Sequence, residues 1–125
     1  MGTRILNFFD GFTSNTTPST LDVTGSVASP TAITAAGGIT PSGYSNELAY
    51  VESDGGAVNI TANPQIAAGT SSGETLTIYG TSDTDYIILE HGNGLVMNGS
   101  MAVKKDETIK FIWNATSWAE TSRNN

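Results

Sequence analysis

FIWNATSWAETSRNN, residues 111–125, carries both tryptophans of the chain, five positions apart around a short polar run. Just upstream, TIKFIW (108–113) alternates, so Ile109, Phe111 and Trp113 share one face of a strand. Residues 114–117, NATS, have the length and chemistry of a hairpin loop, and Trp118 opens the return strand. In that register Trp113 and Trp118 are direct cross-strand neighbours, a pair that adds about 0.5–1.5 kcal/mol beyond its burial. The segment therefore predicts a sheet closed by its largest hydrophobes, with Ile109, Phe111, Trp113 and Trp118 as structural core.

Working back from this hairpin, the same texture recurs. ELAYVE (47–52) places Leu48 and Tyr50 on one face, and SDGG (53–56) leads to AVNIT (57–61), a pairing that reads as a hairpin. TLTIYG (75–80) puts Leu76 and Ile78 together. YIILEH (86–91), LVM (95–97) and MAV (101–103) are further short strands, separated by GNG, NGS and then KKDE turns. No window of helical length shows a 3.6-residue apolar period. The expected class is all-β: a small antiparallel β-sandwich or barrel-like, jelly-roll-like domain over residues 46–125.

Residues 1–45 differ. They hold Pro18, Pro30 and Pro41 among Ser, Thr, Ala and Gly, and show little periodicity. Ile5, Phe8, Phe9 and Phe12 cluster around Asp10 and Gly11. Three Phe in five residues followed by an irregular tether make a poor core strand. Two readings stand: the phenylalanines cap the core of the C-terminal region, or, the one preferred here, they anchor an extended N-terminal arm that docks on another subunit or partner.

Composition limits function. The net charge is −7, and the cations are Arg4, Lys104, Lys105, Lys110 and Arg123, so no basic stripe is present for nucleic acid or an anionic membrane. There is no cysteine, hence no disulfide framework or thiolate zinc site. No segment approaches the roughly 20 apolar residues of a membrane helix. His91, the single histidine, sits at a strand end before a tight turn. Asp83, Asp85 and Glu90 lack the further ligands of a calcium loop, and Asx turns account for them. Nothing reaches the pattern of a catalytic or cofactor site, so the chain is expected not to be an enzyme and to need no cofactor.

From residue 56 to 123 the sequence resembles a small β module found in structural proteins of tailed bacteriophages. The resemblance rests on ANPQIAAGT (62–70), GETLTIYGTSDT (73–84), LEHGNGLVMNGS (89–100) and the run from Asp106 to Arg123 that includes the two tryptophans. FFDGFTS (8–14) and ITAAGGIT (33–40) resemble segments that precede this module. It implies a virion protein, commonly a homotrimer: a capsid decoration (cement) protein, a head fibre or a tail-tip protein. At 125 residues a compact body with an arm suits decoration better than a fibre with shaft and tip. The expectation is a protein on the capsid exterior whose partners are the major capsid protein and itself. It would use Ile5, Phe8, Phe9 and Phe12 to bridge capsid subunits. The alternative is an adhesion module for host glycans, with Trp118, Tyr44 or Tyr86 exposed.

Overall fold

The structure, a computed structural model, describes residues 30–43 and 46–125. Nine strands and no helix are found among them: β1 (Thr31–Ile33), β2 (Glu47–Ser53), β3 (Val58–Asn59), β4 (Thr75–Gly80), β5 (Ile87–Leu89), β6 (Leu95–Val96), β7 (Met101–Val103), β8 (Thr108–Trp113) and β9 (Trp118–Asn124). They form a six-stranded sheet, β1-β2-β4-β8-β9-β6, and a three-stranded sheet, β3-β5-β7. The all-β class is as read from the sequence. The strand directions are not: β1, β2 and β4 run parallel, as do β3 and β5, and only the C-terminal strands add antiparallel pairs.

The parallel pairs come from winding. Glu47 lies opposite Leu76 and Val58 opposite Ile87, so the two sheets meet the returning chain after windings of equal length. A third side is joined by the parallel bridge of Ile39 to Ile66, whose amide and carbonyl bonds are 2.9 and 2.8 Å long. The chain thus coils around one interior, each winding hydrogen-bonded to the next. The SDGG stretch is a corner of that coil, not the expected hairpin turn. Ser53 Oγ donates to the Gly56 carbonyl, and Gly56 N–H donates to Asp85 of the next winding at 2.8 Å. This tie carries β2 and β3 into different sheets.

The C-terminal third seals one end of the coil. β7 covers β5, β8 covers β4, and β9 folds back on β8 while pairing in parallel with β6. Gly80 makes the close approach between the two sheets. A Cβ there would collide with the main-chain oxygens of Val103 and Lys104. Inside lies one continuous core, from Ile33 and Ile39 at the N-terminal end to Phe111, Trp113 and Trp118 at the other.

This corrects the expected boundary at residue 45. β1 is paired with β2, and Ile33 and Ile39 belong to the core, so the body takes in residues from 31 onward. Both are isolated aliphatics in a Thr/Ala/Gly stretch. Only their register against the buried Ser53 and Ile66 one winding later reveals them as inward-facing. The expected arm residues Ile5, Phe8, Phe9 and Phe12 lie outside the described residues.

Candidate binding surface

The sequence-predicted core residues come together at the sealed end. Ile109, Phe111 and Trp118 are fully buried and Trp113 nearly so. Trp113 and Trp118 pair directly, their rings 5.2 Å apart at 55°. The loop between them is built by Asn114, whose Oδ1 accepts from the amides of Thr116 and Ser117 at 3.0 and 2.8 Å. The indole N–H of Trp118 donates to the Ala67 carbonyl at 3.0 Å. Trp118 is therefore no glycan platform, which removes it from the adhesion reading. Tyr86 is half-buried, with Lys104 Nζ 4.9 Å above its ring, and Tyr44 lies outside the described residues.

Asp85, Glu90 and His91 are tied into the architecture. Asp85 holds the Gly56 amide, and the Glu90 carboxylate accepts from the Asn59 side chain. His91 Nδ1 accepts from the Met97 amide at 3.1 Å across the tight turn. Among the described residues no group of three or more His, Asp or Glu side chains is placed to hold a metal. Arg123 and Glu120 form a two-pronged ion pair at 2.6 and 2.7 Å. The guanidinium also donates to the Asn98, Gly99 and Ser100 carbonyls, pinning the loop before β7. That contact with Arg123 holds the Glu120 carboxyl below the ordinary carboxylate range.

Two features face outward. The first is the outer face of β2, β4 and β8. Here Tyr50 stands beside Tyr79 in register, rings 5.2 Å apart at 59°. Leu48, 45% exposed, lies on the same side, with Thr77 and Lys110 on the neighbouring strands. Tyr79 Oη donates to Asp106 at 2.7 Å, and this bond pushes the phenol above its usual range. The alternation in ELAYVE does put Leu48 and Tyr50 together, but on the outside. Val51 and Ser53 are the buried positions. The second feature is a concavity beside β1 and β2, of mixed character, lined by Ile33, Ile39 and Leu48 together with Thr31, Ser42 and Glu47. Ser42 Oγ donates to Glu47 at 2.6 Å there.

Sequence reasoning missed Gln65, which is 2% exposed. Its amide donates to the Glu90 and Gly92 carbonyls and accepts from the Glu90 amide, clamping two windings. It also missed the Tyr50–Tyr79 pair. A signal for the pair was present: shifted by one winding, Tyr50, Ser53 and Asp54 meet Tyr79, Ser82 and Asp83. Comparison with protein-family models, with curated proteins and with solved structures gave no match.

Proposed function

We propose that this chain is a structural protein of a tailed-phage particle, a decoration protein that sits on the outer surface of the assembled head. In this reading it bridges major capsid subunits and stiffens the shell against internal pressure. The observation that carries it is the one-ended construction of the body. Trp118 is fully buried at the C-terminal end, while β1 at the N-terminal end is an edge strand among the described residues. A rigid block with a sealed end and an attaching end suits a protein that must hold on at one side and face solvent at the other. The low-charge, Thr- and Tyr-bearing outer sheet agrees with a solvent-facing role. Contacts across subunits fall to Ile5, Phe8, Phe9 and Phe12, and deleting residues 1–14 should abolish capsid binding.

The same polarity favours a second reading: the end block of a short head fibre or tail tip, with the Tyr50–Tyr79 face offered to host glycans. Copy number per virion, by quantitative mass spectrometry against the major capsid protein, separates the two. A ratio set by the capsid lattice is expected. A few copies per particle would favour the fibre reading, and absence from the particle would sink both.

A further inference from the structure

We propose that Asn98 is a site of spontaneous, irreversible modification: its side-chain amide converts to a carboxylate by ring closure onto the Gly99 nitrogen, and Arg123 is the brake on that reaction. Two Asn-Gly pairs lie among the described residues, Asn93 with Gly94 and Asn98 with Gly99. Asn is thermolabile, and a following Gly puts no side chain in the way of the attack. The main-chain nitrogen of the Gly, on losing its proton, attacks the Asn Cγ. A C–N bond forms, the side-chain nitrogen takes up a proton and leaves as ammonia, and a cyclic imide remains. Water then opens the imide at either carbonyl. One opening gives Asp; the other gives an isoaspartyl linkage, in which the main chain runs through the side-chain carbon.

By sequence the two pairs are alike, and the fold separates them. In both, the Gly N–H donates no hydrogen bond among the described residues, so ring closure depends on turning the peptide between Asn and Gly. At Asn93 that peptide is locked. Gly92 and Leu95 exchange main-chain bonds of 2.9 and 3.0 Å across the two-residue turn. The Asn93 carbonyl accepts from the Gln65 main-chain N–H at 3.0 Å, and the Gly94 carbonyl accepts from the Trp118 main-chain N–H at 2.9 Å. Gly94 also packs against Pro64. Turning this peptide would break bonds to two buried residues, Gln65 and Trp118. At Asn98 both members of the pair are exposed, and the space around Gly99 is open. What holds this peptide is one side chain. The Arg123 guanidinium donates to the Asn98 and Gly99 carbonyls at 3.3 and 3.0 Å, and Glu120 holds the guanidinium in turn. Glu120 also accepts from the Asn98 main-chain N–H at 2.8 Å, on the side of the residue that ring closure does not move.

The product undoes its own restraint. Asn98 and Glu120 line one shallow groove with Val96 and Thr121, and the new carboxylate sets a second negative charge there. An isoaspartyl linkage also lengthens the main chain of the turn by one carbon and shifts the carbonyls that Arg123 grips. The turn between β6 and β7 therefore loosens with the age of the molecule, with water as the only reagent.

Purified full-length chain is incubated at mildly alkaline pH, which favours the deprotonated Gly nitrogen, in native buffer and in concentrated urea. Peptide mapping by mass spectrometry follows the amide-to-acid conversion of Asn93 and Asn98 over time. In urea the two should convert at similar rates, because no fold distinguishes them. In native buffer Asn98 should convert while Asn93 lags by about tenfold or more, the rate equivalent of one hydrogen bond that must first break. Arg123→Ala should speed Asn98 by about tenfold on the same reckoning and leave Asn93 unchanged. Conversion of Asn93 at the pace of Asn98 in native buffer refutes the assignment, and so does an Asn98 that stays an amide there. A rate at Asn98 that ignores Arg123→Ala, or rises only in step with Asn93, refutes the brake.

Discussion

Removing the Trp113–Trp118 pair should unlock the sealed end, and the cost can be built from its parts. Trp118 is fully buried, and its truncation to alanine removes a large side chain from a packed core, about 3–5 kcal/mol. Trp113 is almost as deeply placed, so Trp113→Ala falls at the lower end of the same range, about 3 kcal/mol. The two rings, 5.2 Å apart, also interact with each other, about 0.5–1.5 kcal/mol. Each single variant loses that mutual term, so the double variant should cost about 1 kcal/mol less than the sum of the singles. Urea unfolding followed by far-UV circular dichroism measures all four proteins without relying on tryptophan emission. Trp118→Phe is the gentler companion. It keeps a ring against Trp113 but leaves the Ala67 carbonyl without its indole donor, a loss of about 1 kcal/mol on top of the smaller ring. Strict additivity, a coupling under about 0.3 kcal/mol, would refute the claim that the rings act as a pair.

Three other perturbations probe separate parts of the fold. Gly80→Ala should destabilise by about 3 kcal/mol, because the added methyl meets the main-chain oxygens of Val103 and Lys104; a thermal melt that overlays the parent's would show that the sheets can part there. Gln65→Ala strips donors and an acceptor from two buried windings and should cost about 3 kcal/mol, with amide exchange rising first at Glu90. Glu120→Gln should cost about 1 kcal/mol at neutral pH. Since Arg123 lowers the folded-state pKa of Glu120, its contribution is present above the unfolded carboxylate value, about 4.3, and is lost as pH falls through the folded one. The parent and Glu120→Gln stability curves should therefore converge at strongly acid pH, and a gap that stays constant into that range would contradict the assignment.

The amino-acid sequence by itself determined the class and the sealed end. Alternation at Ile109, Phe111 and Trp113, an NATS loop of hairpin length and a second Trp in register are local facts, and local hydrogen bonding realises them. What the tertiary structure alone decided is how the strands before that hairpin stack. A parallel ladder joins Thr31 to Val51 and Glu47 to Leu76, a full winding apart, and no turn between neighbouring residues encodes it. SDGG looks like a hairpin turn because its residues suit any tight bend; the Asp85 carboxylate, one winding later, makes it a corner. Ile33 and Ile39 look like strays in a tether until Ser53 and Ile66 come to lie beside them. Gln65 looks like a surface amide until Glu90 and Gly92 enclose it. In each case the deciding partner is distant in the chain, so the burial that fixes the residue's role exists only once the coil has closed.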